Sequence, residues 1–382
     1  MTQAGIYIHI PFCRSRCSYC DFATGAFDVE RARRYVAALV REIGEFPCHQ
    51  SFIESLSAVD TIYFGGGTPS LLDANQIAEV LDALKRRFEI DARSEITLEI
   101  NPGTVDINKA KALIDIGITR ASFGAQTFND AHLKQLGRAH DACEITRTFD
   151  VLREAGFTNI NFDLIAGLPN QTLEDWQSNL RQALALRPEH LSLYLLEVHP
   201  ATPLAAQLQQ HRLTLPDEDT TAAMYRLLVD EMTGAGYEHY EISNFCLPKF
   251  ESRHNSKYWT GAPVYGFGCA AHSFDGYHHR WANVRDVLRY VGLVENSESA
   301  LDEVTNLSDE NLRDERIFLG LRLMRGITWQ DYQSRFTDDL RDTRGDDLAR
   351  LTEAGLIETT DERLKLTGAG ALLSNEVFAR LV

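Results

Sequence analysis

Three of the chain's seven cysteines, Cys13, Cys17 and Cys20, fall within the eight residues CRSRCSYC, while Cys48, Cys143, Cys246 and Cys269 are scattered. Thiols at this spacing have three uses. A structural zinc ion takes four donors, and the nearest further one is His9, in an apolar run IYIHIPF that reads as a strand entering the loop. A cubane iron–sulfur cluster can be held by thiolates from one tight loop. With only three of them, one iron keeps an exchangeable position that can bind a substrate. Packed free thiols are the third use, and Arg14, Ser15, Arg16 and Ser18 make the loop too polar for a core segment.

Other residues suited to ligand chemistry also sit at the ends of apolar runs. They are Gly65-Gly66-Gly67-Thr68-Pro69, Glu99-Ile100-Asn101-Pro102-Gly103, Gly124-Ala125-Gln126, and Asp163 ahead of Gly167-Leu168-Pro169. Glycines without Cβ atoms let the backbone approach a ligand, although GGGTP is also the composition of a tight strand-to-helix turn. Glu99 and Asp163 suit helix capping or ion pairing as well as binding. Brought to one place, the set offers acceptors for an amine and a ribose and donors for a carboxylate.

The elements that must position these residues are legible from periodicity. Strand-like runs occur near Ile6 to Ile10, Val59 to Phe64, Glu95 to Ile100, Ile118 to Phe123, Asn159 to Ile165 and Leu191 to Leu196. Between them lie stretches of helical period: from Val29, from Ala74, and near Ile107 to Ile116, Ala142 to Ala155 and Leu173 to Leu186. Alternation of this kind predicts an α/β fold with a parallel sheet, doubly wound or curled into a barrel. In such folds function sits at the C-terminal ends of the strands, where the residues above fall.

Beyond about residue 245 the alternation stops. HNSKYW (254–259) precedes a Gly-rich turn into a short strand, and WANVRDVLRYVGLV from Trp281 has helical period. His254, His272, His278 and His279 lie in this stretch. Imidazole is a common haem ligand and aromatic rings pack on porphyrins, yet a histidine beside aromatics also serves as a hydrogen-bonded structural residue that would lock a second domain onto the barrel mouth. From about Ser308 the pattern predicts helices near Arg313 to Met324 and Asp346 to Ala354, a hairpin from 356 to 366 and a terminal helix, the order of a winged-helix-like module. Its Asp338-Asp339 and Asp346-Asp347 pairs disfavour DNA and favour a protein-contact or lid role.

The 382 residues predict two or three domains, and 44% apolar with 24% charged residues fits a globular chain. A formal net charge of −17 is the wrong sign for a nucleic-acid partner. No apolar run is long enough to span a membrane, and Met1-Thr2-Gln3-Ala4-Gly5 lacks the features of a secretory signal, so a reducing cytoplasm is expected.

Cys13, Cys17 and Cys20 match the Cys-x3-Cys-x2-Cys loop of the radical S-adenosylmethionine superfamily, which this chain resembles over most of its length. The resemblance implies a 4Fe-4S cluster whose fourth iron is chelated by S-adenosyl-L-methionine, with GGGTP receiving the methionine amino group. It also implies a partial six-unit (β/α)6 TIM-like barrel over 1–245, a linking segment with the HNxxYW motif over 246–307, and a smaller C-terminal α+β region ending in the winged-helix-like module over 308–382. By position in matching segments, Tyr7, Gly66, Gly67, Thr68, Glu99, Gln126, Arg138 and Asp163 would contact the nucleoside. Arg138, in LGRAH, would otherwise be an ordinary solvated helix-terminal arginine.

YIHIPFCRSRCSYCDF resembles the branch containing oxygen-independent coproporphyrinogen III oxidase. That oxidase carries a further cysteine where this chain has Phe22, and a longer segment ahead of the loop, where this chain has 12 residues before Cys13. CxxxCxxCDF together with HNxxYW is more similar to the HemW-type haem chaperone family. That likeness implies haem as cargo, apo-haemoproteins as acceptors, and recruitment to a membrane through a partner where it occurs. His254 is the candidate haem ligand. The alternative it leaves open is a radical enzyme acting on a porphyrinogen.

Overall fold

The computed structural model describes residues 3–53, 55–336 and 338–382. The six expected strands form, each alternating an apolar and a polar side: β1 Ala4–Ile10, β2 Val59–Gly66, β3 Ile90–Ile100, β4 Arg120–Gln126, β5 Ile160–Ala166 and β6 His190–Leu195. They pair in parallel in that order. Their apolar positions, such as Ile6, Ile8, Ile62, Phe64, Leu98, Phe123, Phe162 and Leu191, are buried in one core with the crossover helices. The polar positions face the other way, into the concave side of the sheet.

The helices α1 Val29–Glu45, α2 Ala74–Arg87, α3 Ile107–Asp115, α4 Ala142–Ala155 and α5 Leu173–Leu186 begin where the sequence supplies a cap. Asp28, Asp73, Asp106, Asp141 and Thr172 each accept from a backbone N–H of the first turn. The helix α6, Glu218–Gly234, lies outside the expected set. Its wide spread of apolar and polar residues hides the helical period, although Met224, Leu228 and Met232 are buried at four-residue spacing.

The sheet extends past both ends of this run. β8 Asn244–Cys246 adds antiparallel to β6, and β7 Glu238–Glu241 adds antiparallel to β8. On the other side β9 Val264–Phe267 pairs in parallel with β1, a seventh parallel strand, followed by β10 His272–Phe274, β11 His279–Asn283 and β12 Leu301–Asn306. The order is β12-β11-β10-β9-β1-β2-β3-β4-β5-β6-β8-β7, an open, partial barrel of TIM type. The expected helix from Trp281 thus starts late, at Val287, because Trp281 and Asn283 are buried with the period of a strand.

Between β8 and β9 the chain turns through Arg253–Thr260, here α7. At the C-terminus the helix Asp309–Arg322 precedes strand Ile327–Thr328, helices Trp329–Arg335 and Gly345–Glu353, the hairpin Ile357–Thr359 with Arg363–Leu366, and two closing helices. Arg322 pairs with buried Glu241 at 2.8 Å and stacks over Trp259, tying this region to the barrel wall. No helix among the described residues is long and apolar enough to cross a membrane.

Candidate functional site

The thiol loop leaves the end of β1 and is fastened on three sides. Gly25 N–H donates to Pro11 O (2.6 Å) and Phe27 N–H to Cys13 O (2.9 Å), closing the loop on itself. Ser18 donates from its backbone to Leu136 O and accepts at its own carbonyl from Leu204 N–H, so two neighbouring segments hold it. Cys13, Cys17 and Cys20 are free thiols, each half-buried. Burial pushes the Cys13 and Cys20 thiols up, while the Thr68 hydroxyl pulls Cys13 back.

The donors aimed at these sulfurs come from other strand ends. Thr68 Oγ1 donates to Cys13 Sγ (3.6 Å) and Arg138 Nη1 to Cys17 Sγ (3.5 Å). Arg138 is no solvated helix terminus: Nη2 also donates to Gly124 O (2.6 Å) and Asn101 Oδ1 (2.8 Å). Asn101 Nδ2 in turn donates to Thr68 Oγ1 (2.8 Å). Asn101 was visible in the sequence as part of a strand end, without a role of its own.

A second group lines the mouth beside it. Glu99 accepts from Tyr63 O–H (2.8 Å) and Gly66 N–H (3.1 Å). Burial, aided by Asp163, pushes its carboxyl up to about 7. Tyr7 stacks on Tyr63 at 6.2 Å. Because a carbonyl only accepts, the 2.9 Å contact of His9 Nε2 with Ala23 O fixes the proton there, and His9 Nδ1 accepts from Tyr7 O–H (3.1 Å). Both nitrogens of His9 are thus occupied away from the thiols, so it is not a fourth donor beside them. Tyr63 carried no signal beyond alternation.

Gln126 is 9% exposed at a bulge in β4, with φ of 66°, a conformation an L-residue seldom keeps without a reason. Gly124 makes room for it, since a Cβ there would lie 2.4 Å from Gln126 Nε2. Asp163 accepts from Asn161 Nδ2 (2.7 Å), and burial raises its pKa. Tyr7, Gly66, Gly67, Thr68, Glu99, Gln126, Arg138 and Asp163 therefore all sit at or beside the mouth with the three cysteines.

His254 does not join them. It lies one layer below them, on the strand-beginning side of Tyr63, 1% exposed, with Nδ1 against Thr61 Oγ1 (3.0 Å), Nε2 against Tyr258 Oη (3.2 Å) and its ring stacked on Tyr63 at 5.2 Å. Neither nitrogen is open to iron in this conformation. The rest of the motif seals the barrel floor. Glu95 accepts the first two N–H groups of α7, from Arg253 and His254, and Asp60 pairs with Arg253 (2.7 Å) and Lys257 (2.6 Å). HNxxYW therefore locks the floor, not the mouth, because its partners Asp60, Thr61 and Glu95 lie toward the strand beginnings.

The donor set fits a cubane. Among the described residues no three His, Cys, Asp or Glu side chains converge to hold a single ion. A cubane gives each thiolate its own iron, so its ligands need not converge. Gly67 packs its Cα against the loop, where a Cβ would meet Phe12 O at 2.7 Å and Ile10 O at 2.8 Å. A cavity lined by Cys17, Thr68, Asn101 and Arg138 opens beside the thiols, and Arg138 supplies positive charge to a thiolate there.

Comparison with known proteins agrees with this geometry. The radical SAM superfamily matches residues 7–183 and the HemN C-terminal domain matches 307–373. The heme chaperone HemW of Lactococcus lactis is 36% identical over 378 residues, covering 98% of this chain and 96% of that one. HemW of Bacillus subtilis is 36% identical over 375 residues, with 97% of each covered. Among solved structures, coproporphyrinogen III oxidase (HemN) of Escherichia coli, described as a radical SAM enzyme, superposes with a TM-score of 0.83 at 24% identity, covering 100% of this chain and 90% of that one, which establishes the fold. With barrel, thiol loop and near-full-length likeness in agreement, the chain belongs to the radical SAM superfamily, a superfamily of 4Fe-4S clusters and S-adenosylmethionine, and within it to the HemW family.

Proposed function

We propose that this protein is a haem chaperone that binds haem and passes it to apo-haemoproteins, with a 4Fe-4S cluster on Cys13, Cys17 and Cys20 and S-adenosyl-L-methionine at the mouth. The observation that carries the reading is likeness to HemW chaperones across both full chains, from the thiol loop to the C-terminal module. Phe22 supports it: a 59% exposed aromatic ring stands where the oxidase has its further thiol. When bound, the cluster supplies an electron and one open iron position. The chain's own residues hold and orient. Thr68 and Arg138 donate to the Cys13 and Cys17 sulfurs, Glu99 and the Gly66 backbone face an amine, and Arg138 faces a carboxylate. We divide the chain accordingly into a barrel, 1–245, a floor-sealing segment, 246–307, and a C-terminal module, 308–382.

Moderate haem affinity is required, since an acceptor must win the cargo by about 1.4 kcal/mol per tenfold. The test is anaerobic reconstitution of the full chain with iron, sulfide and haem, followed by mixing with an apo-cytochrome. A Soret band that moves to the acceptor, and moves poorly from a triple Cys→Ser variant, is expected. Absence of haem binding overturns the proposal. Formation of 5′-deoxyadenosine and protoporphyrinogen from coproporphyrinogen by the reduced protein would establish the oxidase instead.

A further inference from the structure

Between the sealed floor and the open mouth the barrel encloses polar side chains where TIM barrels ordinarily pack Val, Ile and Leu. Most of them satisfy one another. Asn161 Nδ2 donates to Ser122 Oγ (2.8 Å), while Asn161 Oδ1 accepts from His190 Nδ1 (2.6 Å), whose Nε2 meets Tyr240 Oη (2.7 Å).

Arg120 is the exception. It is 1% exposed, its Nε has no hydrogen-bond partner, and its guanidinium forms no hydrogen bond or ion pair with any described residue. Directly across the β3–β4 ladder stands Thr97, 0% exposed, whose hydroxyl is also without a partner. A fixed positive charge buried with no carboxylate in contact is a costly feature of a protein interior, and arginine cannot escape it by losing its proton. Water would satisfy the N–H groups and leave the charge without a partner in contact. Glu99 and Asp163, nearer the mouth, feel its charge, which offsets part of the rise burial gives their carboxyls, but neither forms a salt bridge with it.

We infer that Arg120 and Thr97 are the receptor for a carboxylate that enters through the mouth. The planar fork of the guanidinium matches two carboxylate oxygens, and the threonine hydroxyl supplies a further donor. The subsite is distinct from Arg138. That side chain bonds to Gly124 O, four residues further along β4 and so roughly 13 Å nearer the mouth. The ligand is either a small free acid or the carboxylate arm of a larger molecule that reaches down the lumen. The inference uses only these side chains and does not depend on the cargo proposed above.

The probe is carboxyl-labelled [13C]propionate, titrated into the full chain and read by the line width and shift of its NMR signal. Saturable binding is expected, weakened about tenfold or more by Arg120→Gln, as loss of a charge-assisted pair predicts, and severalfold by Thr97→Val. Circular dichroism reports whether each variant folds. If Arg120→Gln does not, Thr97→Val decides. No saturable binding to the native chain, or unchanged binding by the folded variants, overturns the inference. Haem and its dimethyl ester separate the two sources. Displacement of propionate by haem and not by the ester assigns the subsite to a tetrapyrrole side arm, and displacement by neither assigns it to a free acid.

Discussion

Thr68 and Arg138 each donate to a different cysteine sulfur, and one carboxamide, that of Asn101, bonds to both. Among the described residues Asn101 is the only side chain that bonds to both donors, so removing it frees both while leaving the thiols in place. Asn101→Ala is therefore expected to load iron and sulfide near the native level but to bind S-adenosylmethionine about tenfold more weakly, the effect of two lost hydrogen bonds at about 1 kcal/mol each, partly recovered by water. Titration of the nucleoside against the reduced cluster's electron-resonance signal measures it. Native affinity in the variant would show that the carboxamide is incidental.

Gly67 makes the converse case. Its missing side chain would strike backbone atoms of the thiol loop, Phe12 O, Ile10 O and Phe12 N, none of which can swing aside. Gly67 N–H and Thr68 N–H already bond to Ile10 O and Phe12 O, so the loop cannot retreat without losing them. Gly67→Ala should fold and take up severalfold less iron and sulfide. Gly44, exposed in α1 with nothing within 4 Å of a built Cβ, is the control. Gly44→Ala should gain roughly 0.5–1 kcal/mol of stability with unchanged iron content.

The parts of this molecule that were legible in the sequence are those set by local period. All six strands and five helices follow alternation and caps, and the mouth residues follow from their place at strand ends. The polar half of each strand was harder to read. IYIHI, ITLEI and RASFGA alternate like half-exposed strands, and only the curl of the sheet shows that Tyr7, Glu99 and Arg120 face a lumen. The position of His254 depends on contacts with Thr61 and Tyr63, 193 and 191 residues away, which no local pattern encodes. Asn101 acquires its role the same way, from two neighbours on other loops.

His254→Ala should cost roughly 2–4 kcal/mol, since it opens a cavity at the floor and leaves Thr61 and Tyr258 without a partner. Its haem spectrum should be unchanged. Chemical unfolding and the Soret band read the two outcomes separately, and a lost Soret band in a folded variant would identify the imidazole as the ligand. Gly5→Ala strains the same place from beneath, with a Cβ 2.9 Å from Lys257 Cδ and 3.2 Å from His254 Cε1, and should destabilise by roughly 1–3 kcal/mol without altering cluster content.

The pH response of the mouth follows from Glu99. Its folded pKa, about 7, lies above the ordinary 4.5 because burial disfavours the carboxylate. The folded chain therefore holds this proton to higher pH than the unfolded chain does. Stability from this group is greatest below 4.5 and falls as pH rises to 7, by at most about 3 kcal/mol at 1.36 kcal/mol per unit. His254 runs oppositely. Burial lowers it to about 3, so its neutral ring favours the fold above 6.5 and loses that advantage as pH drops. The two slopes oppose each other between 4.5 and 6.5, which makes thermal unfolding of the native chain a poor readout there. Glu99→Gln removes one of them: the variant should gain stability relative to the native chain as pH rises from 4.5 to 7. An ammonium ligand on Glu99 favours the ionised carboxylate, so native affinity for S-adenosylmethionine should climb with pH until about 7. In Glu99→Gln the affinity should be lower and flat across that range. A parallel rise in both proteins would place the titrating group elsewhere.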